Sequence, residues 1–357
     1  MLHYIIRRVL WMIPTMLGIL LIILGLLHAA PGDPAMQILG IGGGGGGEMT
    51  QDGADIEARL AKFKRDNALD RNFLVQYLGF LGPFNVKPDG HELFGGDGRN
   101  PWGGFLVLDF GTELFDKNKQ IGDEIRHRLV EVTLPLALMS TFLIYMIAIP
   151  IGIFSANRAG SRLDKLLTLL LFILYSVPVF WAGLMLILAF GKGGLGWLPV
   201  IGLHSRGADE LEPWPYFVDM AQHFILPVIV TTYGGLAYIS RQMRSGMIEV
   251  VHQDYIRTAK AKGLGSRAII LKHALRNSLI PVITIFASIL PIMIGGSVVI
   301  EVVFDLPGMG KYMYEGLLTR DFNVIMATMT LLGAMTLLGI LLSDIAYAIV
   351  DPRISYS

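Results

Sequence analysis

The 357-residue chain contains no cysteine. That excludes a disulfide framework, a thiolate metal site and a catalytic thiol, and it suits a protein with one face in an oxidising space. Charge is scarce: Asp, Glu, Lys and Arg make up 16% of the residues, against roughly 25% in a soluble globular chain. There is no basic excess, because 29 Lys and Arg face 29 Asp and Glu, so nothing global points to nucleic acid. The alternating polarity of membrane β-barrel strands is also missing. A phosphate-binding G-x-x-x-x-G-K-[ST] loop is lacking. The pairs Gly191-Lys192 and Gly310-Lys311 are followed by Gly193 and Tyr312, and neither has the upstream glycine. His91-Glu92 lacks the second histidine of H-E-x-x-H, and no G-x-S-x-G elbow is present. The sequence therefore offers no catalytic or metal site, and the chain is not read as an enzyme.

What the chain has in quantity is long apolar runs, with 53% hydrophobic residues. About 20 apolar residues at 1.5 Å each cross the hydrocarbon core of a bilayer. The runs predict an all-α polytopic membrane protein with six transmembrane helices, at about 9–30, 132–154, 166–190, 223–240, 279–303 and 324–350. The first run is read as an uncleaved helix rather than a signal peptide. Its apolar core exceeds the usual h-region, and His28 stands where a cleavage site needs a small residue. Three regions follow: 1–30 with the first helix, 31–131 as a large polar loop, and 132–357 as a core with the other five helices.

Orientation comes from the positive-inside bias. The loop at 155–165 carries Arg158, Arg162 and Lys165 against Asp164. The loop at 241–278 carries eight cations (Arg241, Arg244, Arg257, Lys260, Lys262, Arg267, Lys272 and Arg276) against Glu249 and Asp254. Both termini and these two loops are therefore expected in the cytoplasm, and the 31–131 loop outside. That outer loop opens with the helix stop Pro31-Gly32-Asp33-Pro34 and a six-glycine run at 42–47, read as a flexible loop. Short helices are expected at 54–67, with Ile56, Leu60 and Phe63 on one face, and at 73–80. An irregular insertion at 82–104 and an amphipathic helix at 121–130 complete it.

The stretch 252–281 stands out, being basic yet set between two apolar spans. Residues 254–262 form a short helix closed by Gly263, and 266–277 a second one. The small residues Ala259 and Ala261 suit close approach to a partner, and Lys260 and Lys262 suit an acidic rim. The competing reading is a basic loop lying on anionic lipid, which the charge bias alone predicts. Among ionisable residues inside spans, Asp344 is the candidate for a substrate contact, weighed against an interfacial carboxylate paired with a nearby Arg. Glu131 and Glu301, near outer helix ends, are read as hydrated.

Asp254-Tyr255-Ile256-Arg257-Thr258-Ala259-Lys260-Ala261-Lys262-Gly263-Leu264, followed by His273-Ala274-Leu275-Arg276-Asn277 and Pro281, resembles the cytoplasmic EAA loop of ABC-importer permeases. It is most similar to the dipeptide/oligopeptide group, with Arg257-Thr258-Ala259 where the wider consensus has Glu-Ala-Ala. Arg7-Arg8, Ala30-Pro31-Gly32-Asp33-Pro34, Leu108-Asp109-Phe110-Gly111-Thr112, Leu306-Pro307-Gly308-Met309-Gly310, Arg320-Asp321-Phe322 and Val350-Asp351-Pro352-Arg353-Ile354 fit the same pattern. The glycine run and 82–104 resemble the enlarged outer loop of a subgroup linked to microcin C and related peptide uptake.

The resemblance implies a bacterial inner-membrane permease that takes up peptides or peptide-like compounds. It implies a coupling helix whose residues Asp254, Tyr255, Arg257, Thr258, Ala259, Lys260, Ala261, Lys262 and Gly263 meet an ATPase. It also implies a second homologous permease, two ATP-binding subunits or one fused ATPase, and a periplasmic substrate-binding protein. The lipid bilayer surrounds the chain, no nucleic acid is involved, and ATP and Mg²⁺ belong to the partner ATPase, leaving this chain without a cofactor. A nickel-type ABC permease shares the pattern. An ion-driven secondary transporter is the alternative of another class, expected to show more spans and often inverted repeats. A channel or scaffold subunit is a third.

Overall fold

The computed structural model describes residues 2–31, 53–67, 69–82, 104–279, 281–282, 285 and 289–350. The glycine run at 42–47, nearly all of the 82–104 insertion and the tail at 351–357 lie outside the described residues. Among those described, the chain is helical, with only isolated bridges such as Gly104 to Asp109 in place of strands.

Among the described residues, four helices are long and apolar enough to cross a membrane: Tyr4–Ala29, Ile121–Asn157, Pro213–Val251 and Phe322–Ile345. A helix pair, Arg162–Ser176 and Val179–Phe190, passes the same test together but is bent by 89° at its break. Pro178 explains the break, since it has no N–H to donate and disfavours helical backbone at the residue before it. A shorter apolar helix covers Pro291–Val303, itself interrupted at Gly296, whose φ is +68°.

In chain order the helices are α1 (Leu2–Ala29), α2 (Gly53–Asp66), α3 (Phe73–Leu81) and α4 (Ile121–Arg128). A π-turn, Leu129–Thr133, joins α4 to α5 (Leu134–Asn157). Next come α6 (Arg162–Ser176), α7 (Val179–Phe190), α8 (Pro213–Val251) and α9 (Asp254–Ala261). The stretch α10 runs through Ser266–Ala268, a π-helical Ile269–Ala274 and Leu275–Ser278. Then follow α11 (Leu290–Gly295), α12 (Val298–Val303), α13 (Met309–Thr319) and α14 (Phe322–Val350).

The amphipathic helix at 121–130 leads into the second apolar run, as expected, in one continuous helix from Ile121 to Asn157. One expectation is revised. The helix that carries the fourth apolar run does not stop at 240: α8 runs 39 residues, from Pro213 to Val251. Hydropathy falls after Ser240, but Arg, Gln, Met and Glu are good helix formers that outweigh the single Gly246, and no proline intervenes before the turn at His252.

The chain divides into two compact units: 1–130 with 309–337, and 131–308 with 338–357. In the first, Met16, Leu20 and Leu24 of α1 form a core with Phe80, Leu81 and Met326. Tyr77 donates its hydroxyl hydrogen bond to the Leu17 carbonyl at 2.8 Å. A second core joins Ile121 and Ile125 of α4 to Met309, Tyr312, Val324 and Ala327. Asp321 caps α14, accepting from the Val324 N–H at 3.0 Å, and also accepts from the Leu114 N–H at 2.7 Å, which ties the segment before α4 down.

The second unit has two cores. One groups Val132 and Leu136 with Phe224, Leu226, Val228 and Ile300, among others. The other groups Ala148 of α5, Met243 and Met247 of α8, Ile256 and Ala259 of α9, and Ile269 and Ala274 of α10. Helices α5 and α8 cross closely at Gly152, where a Cβ would lie 2.6 Å from the Met243 Cβ. Only hydrogen fits there, and small residues at such crossings are the membrane-protein means of close packing. The outward residues of α6, including Leu166, Leu169, Leu170 and Ile173, remain exposed.

Candidate functional site

The segment from the end of α8 through α10 builds a platform with a defined inside and outside. Helix α9 is short, and its ends explain why it forms. Asp254 sits in its first turn and Lys260 in its last, each complementing the helix dipole. The Thr258 hydroxyl donates to the Asp254 carbonyl at 3.1 Å. At the C-terminal end, the Gly263 N–H donates to the Lys260 carbonyl at 3.0 Å and the Leu264 N–H to the Ala259 carbonyl at 3.3 Å. Gly263 has φ +78°. These two bonds and the left-handed glycine form a Schellman cap, which stops the helix cleanly.

Ile256 is fully buried and Ala259 is 6% exposed. They are three residues apart, so they share one face, and that face lies on Met243 and Met247 of α8 and on Ile269 and Ala274 of α10. Burying the Ile256 side chain contributes roughly 1.5–3 kcal/mol. Asp254, Tyr255, Arg257, Thr258, Lys260, Ala261, Lys262 and Gly263 are exposed. Ala259 therefore does not face outward with Ala261: it packs against the chain's own core, because the helical repeat carries it round to the side of Ile256. The Asp254–Arg257 pair is 3.5 Å apart with side chains 96% and 74% exposed, so water screens it and it contributes little.

The platform is joined to α8 by more than side-chain packing. A Cβ on Gly246 would lie 2.9 Å from the Ser278 carbonyl oxygen, so α8 and α10 meet backbone to backbone. The buried Ser278 hydroxyl donates to the Leu275 carbonyl at 3.0 Å. Asn277 donates through Nδ2 to the Tyr255 hydroxyl at 2.7 Å, which links α10 to α9.

One constellation had no signal in the sequence pattern. Arg244 of α8 grips Asp164 with two bonds, Nε to Oδ1 at 3.0 Å and Nη2 to Oδ2 at 2.9 Å. The Gly160 N–H donates to the same carboxylate at 2.8 Å, and Ser155 donates its hydroxyl to it as well. A buried carboxylate with several donors and a bidentate guanidinium is held firmly. Sequence alone counted both residues only as loop charges, since 80 positions separate them.

A cavity of about 340 Å³ lies between α5, α8 and the broken helix α11–α12, where Thr133, Ser140, Tyr145, Thr231, Tyr238 and Gly296 are among its lining residues. Glu301 borders it too, and it is not hydrated: it is fully buried, and the Thr133 hydroxyl donates to its Oε1 at 3.2 Å. Gly308 abuts the same carboxyl group, since a Cβ there would collide with the Glu301 carboxyl. The glycines of Leu306-Pro307-Gly308-Met309-Gly310 thus serve packing, and Gly310 lies buried within α13. Asp344 is half-buried on α14. Among the described residues, no group of three or more His, Asp or Glu could hold a metal.

Where α13 meets the segment before α4, burial pushes the Tyr312 hydroxyl well above its ordinary range, helped by the Glu113 carboxylate to which it donates at 3.0 Å. Burial also raises Asp321, against the lowering effect of its two backbone N–H donors.

A membrane core, a basic platform presented on a short capped helix and an apolar-walled cavity dotted with hydroxyl groups together suit a transport subunit. Residues 148–356 match the family model for the inner membrane component of binding-protein-dependent transport systems. The oligopeptide transport system permease protein AppB of Bacillus subtilis (strain 168) is 38% identical over 353 residues, covering 99% of each chain. The dipeptide transport system permease protein DppB of Escherichia coli (strain K12) is 32% identical over 374 residues, covering 100% of this chain and 99% of that one. The inner membrane ABC transporter permease protein YejB of Escherichia coli O157:H7 is 32% identical over 370 residues, covering 99% and 98%. The chain belongs to the inner-membrane components of binding-protein-dependent transport systems. It is a multi-pass protein of the inner membrane, and the resemblance drawn from residues 254–281 holds at the family level.

Proposed function

We propose that the chain is one permease subunit of an ABC importer for peptides or peptide-like compounds. The observation that carries this is the division of α9 into two faces. Ile256 and Ala259 anchor it to α8 and α10, while Tyr255, Arg257, Lys260, Ala261 and Lys262 are left exposed. A helix fixed from within and bare without suits the reception of a moving partner. The ATP-binding subunits, two chains or one fused, bind this face and supply the ATP and Mg²⁺ chemistry. Their closure moves α9, and the Gly246–Ser278 backbone contact passes that motion to α8 as a rigid body.

The proposed topology has six spans with both termini cytoplasmic. The bent pair α6–α7 counts as one span and the segment ending at α12 as another. A second homologous permease completes the path, and a periplasmic binding protein delivers cargo to the outer side. The 340 Å³ cavity, with hydroxyl groups from Thr133, Ser140, Tyr145, Thr231 and Tyr238 on apolar walls, suits a path that passes varied peptide side chains without gripping any one. Peptides as cargo are favoured by the names of the relatives. Cargo of the microcin C kind rests on the enlarged outer loop alone.

The test is copurification of the tagged chain from native membranes under mild detergent. The reading expects ATP-binding subunits and a second permease of this family. Recovery of the chain alone with self-sufficient, ion-driven uptake in vesicles would refute it.

A further inference from the structure

A second, larger cavity of about 660 Å³ opens between α5, α6 and α8 at the end of the molecule that carries the 158–161 turn. It has no part in the coupling platform or the hydroxyl-lined cavity. Its lining is graded along all three helices. On α6, Asp164, Lys165 and Thr168 lie nearest the turn, and Leu169, Leu171 and Phe172 follow deeper in. On α8, Arg244, Arg241 and Ser240 give way to Ala237, and on α5, Ser155 gives way to Gly152 and Ile151. One end is therefore polar and basic and the other apolar, in the direction that runs from the membrane surface into the hydrocarbon.

The charges do not cancel. Arg244 is taken up by Asp164 at 2.9 Å. Among the described residues, Lys165 and Arg241 have no carboxylate partner. Lys165, Arg241 and Arg244 against Asp164 leave two positive charges unmatched at the mouth of the cavity. Arg241 is also positioned: its guanidinium lies 4.8 Å from the centroid of the Phe172 ring, a cation–π contact that fixes the donor fork near the surface. The neighbouring face of α6 is apolar and exposed at Leu166, Leu169 and Leu170.

We infer that this cavity holds an anionic phospholipid of the cytoplasmic leaflet, its phosphate between Lys165 and Arg241 and its acyl chains along Leu169 and Phe172. A basic head site above an apolar groove has the polarity of a lipid and not that of a free anion. Basic pockets between helices on the cytoplasmic side are sites where acidic headgroups gain most from charge. The Asp164–Arg244 clamp forms the floor of the site, so a bound lipid would brace the loop that the clamp holds.

The test is native mass spectrometry of the full-length chain in neutral detergent, titrated with phosphatidylglycerol or with phosphatidylcholine of the same acyl chains. Lys165→Gln with Arg241→Gln leaves the clamp untouched, and Lys165→Arg with Arg241→Lys restores the charge. The expected result is one tightly retained phosphatidylglycerol, little phosphatidylcholine, about thirtyfold weaker retention in the Gln pair, and recovery in the conservative pair. Inorganic phosphate should not displace the lipid. Equal retention of the two lipids, unchanged retention in the Gln pair, or displacement by phosphate would overturn the assignment. So would a Gln pair that binds lipid normally but loses the second permease, which would make this face a protein interface.

Discussion

Gly263 shows how much of a site can rest on one backbone angle. Its φ of +78° places it in the left-handed region, and a Cβ there would meet nothing within 4 Å. Space is therefore no obstacle to a side chain and only the backbone is. Gly263→Ala should cost about 1–2 kcal/mol at the end of α9, read as faster amide exchange at Lys262, Gly263 and Leu264 with the core of α8 unaffected. Unchanged exchange would show that the cap does not hold α9. Asp321 makes a different prediction. Its folded-state proton affinity is raised by burial, so the fold favours the protonated form. Its stabilising contribution is complete below the unfolded carboxylate value, about 3.9, and is lost as pH rises through the folded value. The melting temperature of the wild type relative to Asp321→Asn should therefore be highest below about pH 4 and decline toward neutrality. Parallel melting curves across pH would contradict it. Gly263 was legible in the sequence because capping is local. The burial of Glu301 was not, because its partner Thr133 lies 168 positions away.

At the scale of elements, α9 was readable almost to the residue, from 254–262 expected to Asp254–Ala261 observed. Its N-terminal aspartate, basic end and following glycine are all local signals. The inward turn of Ala259 was not readable, since nothing in the sequence says which face of so short a helix meets α8. The length of α8 was misjudged for a related reason: hydropathy marks where a helix leaves the lipid, not where it ends. The consequence is functional. Because α8 continues to Val251, one continuous helix reaches from Pro213 to the platform, carrying the Arg244–Asp164 clamp and the Gly246 contact on the way. Gly246→Val should force α10 off α8, at about 1–3 kcal/mol for overpacking. The expected result is a lower melting temperature in detergent together with faster amide exchange in α10. If α10 keeps its protection, the backbone contact is not what joins the two elements.

At the scale of the whole molecule, composition and long apolar runs announced a membrane protein. The bend between α6 and α7 and the break at Gly296 between α11 and α12 were legible only as proline and glycine positions, because how far a helix bends depends on what its neighbours supply to the freed carbonyls. The central claim is that the outer face of α9 receives an ATPase while its inner face belongs to the permease. Ala261 tests that division directly, because it lies on the exposed side of α9, away from the core that Ile256 and Ala259 join. In the tagged, full-length chain, Ala261→Glu should keep the wild-type melting temperature and still copurify the second permease, while losing the ATP-binding subunits. Recovery of the ATP-binding subunits at the wild-type ratio would contradict the account.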